Sequence, residues 1–321
     1  MSARDDPRPI LVALRALKLG DLLVAVPALR ALRRGFPRHR IVLATTGWLA
    51  PIVELVDAVD ELLPAQGLDA SLDLDGRDVD VAVNLHGRGP ESGRLLTELA
   101  PGRLLAHAPD APEGPEWVDG INERERWARL VSAWGIPADA ADLAIAKPEV
   151  RSVAPGAAVV HVGAFYGARR WPVARFGTVA SGLRRRGLDV VVTAGPEERD
   201  RAEAVASHAA LPDTSVLAGR LDLHGLAAVI ADAALVVSGD TGAAHLASAY
   251  HRPSVVLFGP APPEEWGPPA GPHIVLTDEA RRRGDIFADE PDPALLAVRP
   301  PEVLAAAERV LETSSRVGDH L

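Results

Sequence analysis

Ser238-Gly239-Asp240-Thr241-Gly242-Ala243-Ala244-His245-Leu246-Ala247 lies between two apolar runs. Ala234-Leu235-Val236-Val237 precedes it, and Ser254-Val255-Val256-Leu257-Phe258 follows, closed by Gly259-Pro260. The runs read as buried parallel strands, and the small residues between them as a glycine-containing turn and a helix. Strand, turn, helix and strand make a βαβ unit. Its turn aims backbone N–H groups and a helix N-terminus beyond the sheet, a ready site for a phosphate. Alone, the stretch reads equally as an ordinary tight turn.

The same alternation extends outward in both directions. Upstream, Ala158–Val162 is a strand, Val173–Arg186 a helix, and Asp189–Ala194 a strand ending in Gly195-Pro196. A helix over 200–209, a strand at Val216-Leu217 and a helix over 223–232 complete the second half. The first half opens with a strand at Ile10–Leu14 and a turn at Lys18-Leu19-Gly20-Asp21. A helix from Leu22 to Arg34 follows, which Pro27 should kink. Strands fit 40–44, 80–85 and 103–106, with helices near 49–56 and over 123–134. Residues 147–157, with Pro148, Pro155 and Gly156, read as a linker. Both halves are strand–helix alternations with β-branched strands, the pattern of doubly wound parallel sheets.

The predicted fold is therefore α/β, with two Rossmann-like domains in tandem. Ligands in such sheets bind outside the carboxyl ends of the strands. Four polar or glycine-rich turns fall at predicted strand ends: 18–21, 86–89, 163–171 and 238–245. Two domains so built are expected to face one cleft.

The 321 residues are enough for two cores. No apolar stretch is long enough to span a membrane, and Met1–Pro9 lacks the apolar centre of a signal peptide. The expected compartment is the cytoplasm. The absence of cysteine excludes disulfides, thiolate catalysis and cysteine metal sites. A formal net charge of −10 argues against nucleic acid as a partner and against charge-driven docking on an anionic membrane, although peripheral contact stays open. Gly-x-Gly-x-x-Gly, Walker A and His-Glu-x-x-His motifs are missing. In the acidic stretch Asp73–Asp80, the calcium-loop register puts Ala82 where a Glu is needed. No cofactor and no metal are expected.

Four segments, in order, resemble glycosyltransferase family 9, the heptosyltransferase-like group of GT-B fold. Leu17-Lys18-Leu19-Gly20-Asp21-Leu22-Leu23, continuing to Pro27-Ala28-Leu29-Arg30-Ala31-Leu32, is similar to its opening turn and first helix. His161-Val162-Gly163-Ala164 with Arg169-Arg170-Trp171-Pro172 resembles a donor-domain strand and a basic-Trp-Pro motif. Asp240-Thr241-Gly242-Ala243-Ala244-His245 matches a phosphate-binding turn, and Phe258-Gly259-Pro260 with Trp266-Gly267-Pro268 the segment after it.

The resemblance implies sugar transfer from a nucleotide diphosphate donor to an acceptor hydroxyl, with inversion. ADP-heptose is the leading donor. The acceptor is a glycan, a glycolipid or a small natural product. Residues 1–150 would hold the acceptor and 151–300 the donor, with a helix over 301–321 crossing back to the first domain. An acceptor hydroxyl needs a base. Asp21 matches the family's catalytic carboxylate, although an Asp there also suits a helix cap.

The departing diphosphate gains charge, which cations and amides can stabilise. Arg169 stands where the family carries Lys, and its neighbour Arg170 is the alternative. Asp240, Thr241, Gly242, Ala243 and His245 would line the donor site, His245 reading equally as a core histidine. Glu198, rather than Glu197, matches an acidic residue that binds the donor ribose. Lys18, His86 and Arg88 are the expected acceptor contacts. Asn122-Glu123 departs from a family His-Glu pair. Another nucleotide-sugar enzyme of the same fold, such as an epimerase, and a non-catalytic nucleotide-sugar binder are the competing readings.

Overall fold

The apolar runs of the first half close into one parallel sheet because both of its faces are covered by helices. A computed structural model describes residues 6–318. The chain divides into two compact units, residues 1–146 and 147–321.

In the first unit the strands are β1 (Ile10–Leu14), β2 (Arg40–Thr45), β3 (Glu61–Pro64), β4 (Val79–Asn84) and β5 (Arg103–Leu105). Their order is β3-β2-β1-β4-β5, all parallel. β1 is buried along its whole length, as a central strand must be. The chain leaves β1 toward β2 on one side and later returns to β4 on the other. The carboxyl ends of β1 and β4 thus flank a topological switch point, where ligands bind in such sheets. The helices are α1 (Leu19–Gly35), α2 (Ala50–Val53), α3 (Pro90–Thr97) and α4 (Glu123–Ala133). α1 begins three residues before the expected start and continues through Pro27, which is buried within it.

The second unit repeats the plan. Its strands are β6 (Ala158–His161), β7 (Val190–Thr193), β8 (Leu235–Gly239), β9 (Ser254–Leu257) and β10 (His273–Leu276). The order β10-β9-β8-β6-β7, again parallel, puts the switch point between β6 and β8. Its helices are α5 (Val173–Arg185), α6 (Arg199–His208), α7 (Leu223–Ala231), α8 (Gly242–Ala249), α9 (Pro263–Trp266), α10 (Pro293–Ala297) and α11 (Pro300–Gly318). α11 packs on the second unit through Val303, Ala306, Ala307 and Val310, all in its core. That spacing is one face of a helix.

Three elements differ from the sequence reading. Val216-Leu217 is not a strand: a single parallel bridge joins Val216 to Val192, just after the turn Asp213–Ser215. β3 and β10 are additional short strands at one edge of each sheet. Among the described residues no helix is long and apolar enough to cross a membrane.

Candidate functional site

The chain leaves β1 through Arg15–Lys18 and enters α1 with extended backbone at its N-cap, Lys18. Asp21 is therefore the third residue of the helix rather than its N-cap. Its Oδ2 accepts the Lys18 backbone N–H at 3.1 Å, half of a capping box. Its Oδ1 faces the Arg15 guanidinium at 3.5 Å. The Asp21 side chain is 22% exposed, so it is both fixed and reachable.

Arg15 is sealed in, at 1% exposure. Its Nε donates to the Asp21 carbonyl at 2.9 Å and its Nη1 to the Leu85 carbonyl at 2.6 Å. Its Nη2 lies 3.6 Å from Glu123 Oε2, and the guanidinium sits 4.7 Å from the centre of the Trp127 ring. Glu123 is buried at the start of α4, where Asn122 caps the helix by accepting the Arg124 N–H at 3.2 Å. Glu123 also accepts Arg126 Nε at 2.6 Å and Trp127 Nε1 at 3.1 Å. Sequence reasoning missed Arg15 and Trp127.

His86 follows β4 and donates its backbone N–H to Asn84 Oδ1 at 3.0 Å. Its Nδ1 is buried with no hydrogen-bond partner. Burial first, then the Arg15 charge, pushes its pKa to about 4, so the ring is neutral near pH 7. Lys18 is exposed. Arg88 is also exposed, 3.8 Å from Asp119 and 5.4 Å from the centre of the Trp117 ring.

In the second unit β8 runs into α8 through Asp240 and Thr241. Thr241 is the N-cap, in extended conformation, with its Oγ1 2.8 Å from Ser238 Oγ. Gly242 and Ala243 open the helix, so their N–H groups have no acceptor within it. Asp240, 4% exposed, meets Arg169 twice: Nη1 donates to its carbonyl at 3.2 Å and lies 3.0 Å from its Oδ2. Arg169 Nε is buried with no hydrogen-bond partner. His245 Nε2 is 3.7 Å from Asp240 Oδ1, and its ring meets the edge of Trp266.

The turn after β6 is anchored by Trp171, whose Nε1 donates to the Val298 carbonyl at 3.1 Å while its ring meets Phe176 edge-on. At Gly167 a Cβ would lie 1.7 Å from the Asp289 carbonyl oxygen, so only glycine fits. These contacts separate the two arginines. Arg169 turns to Asp240, whereas Arg170, 45% exposed, donates Nε to the Ala164 carbonyl and lies 3.8 Å from Glu198. Glu198 accepts the Ala164 N–H at 2.8 Å, while Glu197 is exposed. His161, at the end of β6, pairs Nδ1 with Thr193 Oγ1 at 3.0 Å, and burial lowers its pKa to about 4.

Each predicted site residue thus falls at or near a sheet's carboxyl end. Asp21 and His86 flank Arg15, and Asp240, Arg169 and His245 form one cluster. Lys18 adjoins Asp21, Arg88 stands apart on Trp117, and Glu198 sits with Arg170. Among the described residues no group of three or more His, Asp or Glu side chains could hold a metal ion.

A model of glycosyltransferase family 9 (heptosyltransferase) matches residues 125–283. Lipopolysaccharide heptosyltransferase 3 of Escherichia coli is 29% identical over 156 residues, 45% of this chain. The match spans 44% of that relative's length. A family 9 glycosyl transferase from Veillonella parvula superposes with a TM-score of 0.77 at 20% identity, over 96% of this chain and 98% of its own. The E. coli ADP-heptose lipopolysaccharide heptosyltransferase II superposes with a TM-score of 0.73 at 20% identity, over 95% and 99%. At that identity the likeness is one of fold, the GT-B architecture of two parallel α/β sheets. Motif order, family model and fold together make this chain a member of glycosyltransferase family 9, the heptosyltransferase family.

Proposed function

We propose that the chain is an inverting glycosyltransferase whose first unit takes the acceptor and whose second takes a nucleotide diphosphate sugar. The observation that carries this is Asp21: a carboxylate beyond a central strand, held by a backbone N–H and a buried arginine, yet open to a ligand. In this reading Asp21 accepts the proton of the acceptor hydroxyl as its oxygen attacks the anomeric carbon. The bond to the diphosphate oxygen breaks on the opposite face, and its electron pair leaves with the nucleotide. The first-turn amides of Gly242 and Ala243, the Thr241 hydroxyl and the Arg169 guanidinium stabilise that leaving charge. Asp240 holds Arg169 in place. Glu198 takes the donor ribose, with Arg170 beside it, and His245 completes the donor wall.

On the acceptor side Lys18 and Arg88 supply charge, while neutral His86 supplies a hydrogen bond. ADP-heptose is the leading donor, because a solved neighbour is an ADP-heptose heptosyltransferase. The acceptor is a hydroxyl on a glycan, glycolipid or small natural product, and the compartment the cytoplasm.

Thermal-shift measurement with ADP, UDP and GDP tests the donor side. ADP at about a hundredfold excess over its dissociation constant should stabilise the protein by about 2.7 kcal/mol. A preference for UDP or GDP would overturn the adenine assignment. ADP release from ADP-heptose, with candidate acceptors or with water, tests the chemistry. Asp21→Asn keeps an oxygen for the Lys18 N–H but removes the base, so turnover should fall about 10²–10⁴-fold while ADP binding holds. Retained turnover would leave Asp21 as a helix cap alone.

A further inference from the structure

Arg15 is among the largest fully buried side chains of the protein and the only charged one of that set. Burial works against its charge, which Asp21 and Glu123 oppose. Its fork reaches in three directions at the carboxyl end of the first sheet. Nε and Nη1 bind the carbonyls of Asp21 and Leu85, at 2.9 and 2.6 Å, tying the start of α1 to the residue after β4. Nη2 lies between two carboxylates, Asp21 Oδ1 at 3.5 Å and Glu123 Oε2 at 3.6 Å. Trp127 closes the far face of the guanidinium.

We propose that Arg15 is a positioning residue for transfer: it fixes the backbone and the carboxylate of Asp21, while Glu123 holds Arg15 in place. This rests on Asp21 acting as the base. A carboxylate on the first turn of a helix moves with that turn, and Arg15 bonds the Asp21 carbonyl as well as facing its carboxylate. When Asp21 takes the acceptor's proton it becomes neutral, and Glu123 remains as the counter-ion of the buried cation. A lysine would supply one point charge in place of a planar fork and could not span the two carbonyls and both carboxylates.

The test is a cycle of Arg15→Lys, Asp21→Asn and their combination. ADP release from ADP-heptose gives kcat and acceptor KM, thermal melts follow folding, and ADP-induced shifts serve as the donor-side control. Arg15→Lys should lower kcat about 10²-fold, the scale of a displaced catalytic group. KM and the ADP shift should hold. In the Asp21→Asn background the lysine substitution should cost no further rate. Additive losses would show that Arg15 serves only the fold and overturn the proposal. An active Arg15→Lys beside an inactive Asp21→Asn would also overturn it and leave the base in place. An active Asp21→Asn would fail the base itself. Should Arg15→Lys not fold, Glu123→Gln replaces it in the same cycle. A rate loss that vanishes in the Asp21→Asn background supports the proposal, and an additive or absent loss overturns it.

Discussion

Arg169 does two things with one guanidinium. Its Nη1 neutralises Asp240, which is 4% exposed, and its Nε is buried with no partner in the protein. Arg169→Ala should therefore lose both rate and stability. Removing one group that stabilises developing charge costs about 3–4 kcal/mol of barrier, and a buried carboxylate left alone costs about 3–5 kcal/mol of folding free energy. Arg169→Lys keeps a cation for Asp240 and should recover much of both. Arg170→Ala should be milder in each, because that side chain is 45% exposed and held by a single carbonyl. Steady-state kinetics and thermal melts on the three variants check this. A larger rate loss for Arg170→Ala would move the diphosphate contact one residue along.

The turn after β6 works as an element because Glu198 reaches into it. Its Oε1 accepts the Ala164 N–H, and its Oε2 occupies the space where a Cβ on Gly163 would come within 2.5 Å. Gly163→Ala should displace Glu198 and weaken ADP binding, measured by titration, while the Trp171 anchor keeps the fold. Unchanged binding would separate Glu198 from the nucleotide. Long β-branched runs such as Ile10–Leu14 and Leu235–Gly239 were legible as strands, and the turns 18–21 and 238–245 as site elements. Glu61–Pro64 and His273–Leu276 were not, being four-residue edge strands with no long apolar run. Val216-Leu217 looked like a strand because local propensity cannot say whether a neighbour is there to pair. Arg15 was invisible for the opposite reason. A cation at the end of an apolar run reads as solvated, and only the return of β4 and α4 encloses it. Which arginine of the Arg169-Arg170 pair turns inward was likewise a matter of tertiary contact, settled by Asp240 and Glu198.

Across the whole molecule, acid should act through histidines first. His86 in the first unit and His161 in the second are both held down to about 4, in each case chiefly by burial. An unfolded chain binds these protons near pH 6.5, whereas the folded chain does not until about pH 4. The unfolded state therefore carries more protons between those values, and stability rises with pH across that window. It is present in full above about 6.5 and is lost as the pH falls toward 4. Each histidine contributes a slope of at most about 1.4 kcal/mol per pH unit, less where water reaches the ring. Asp60 and Glu61 act later. Their partners, backbone Ile41 with Arg8 and Arg33 for Asp60, and chiefly Arg77 for Glu61, hold both carboxyls below their ordinary values. That stability is lost only as the pH falls below about 4.5. Denaturant titrations at pH 7, 5.5 and 4.5 should thus show falling stability before the carboxylates respond. His161→Gln and His86→Gln should each flatten the upper part of the curve by about one proton. The variants also isolate the histidines from the net charge of −10, whose self-repulsion changes little when one neutral ring is replaced by another neutral group. Unchanged slopes in both variants would mean that the two rings titrate alike in the folded and unfolded chain.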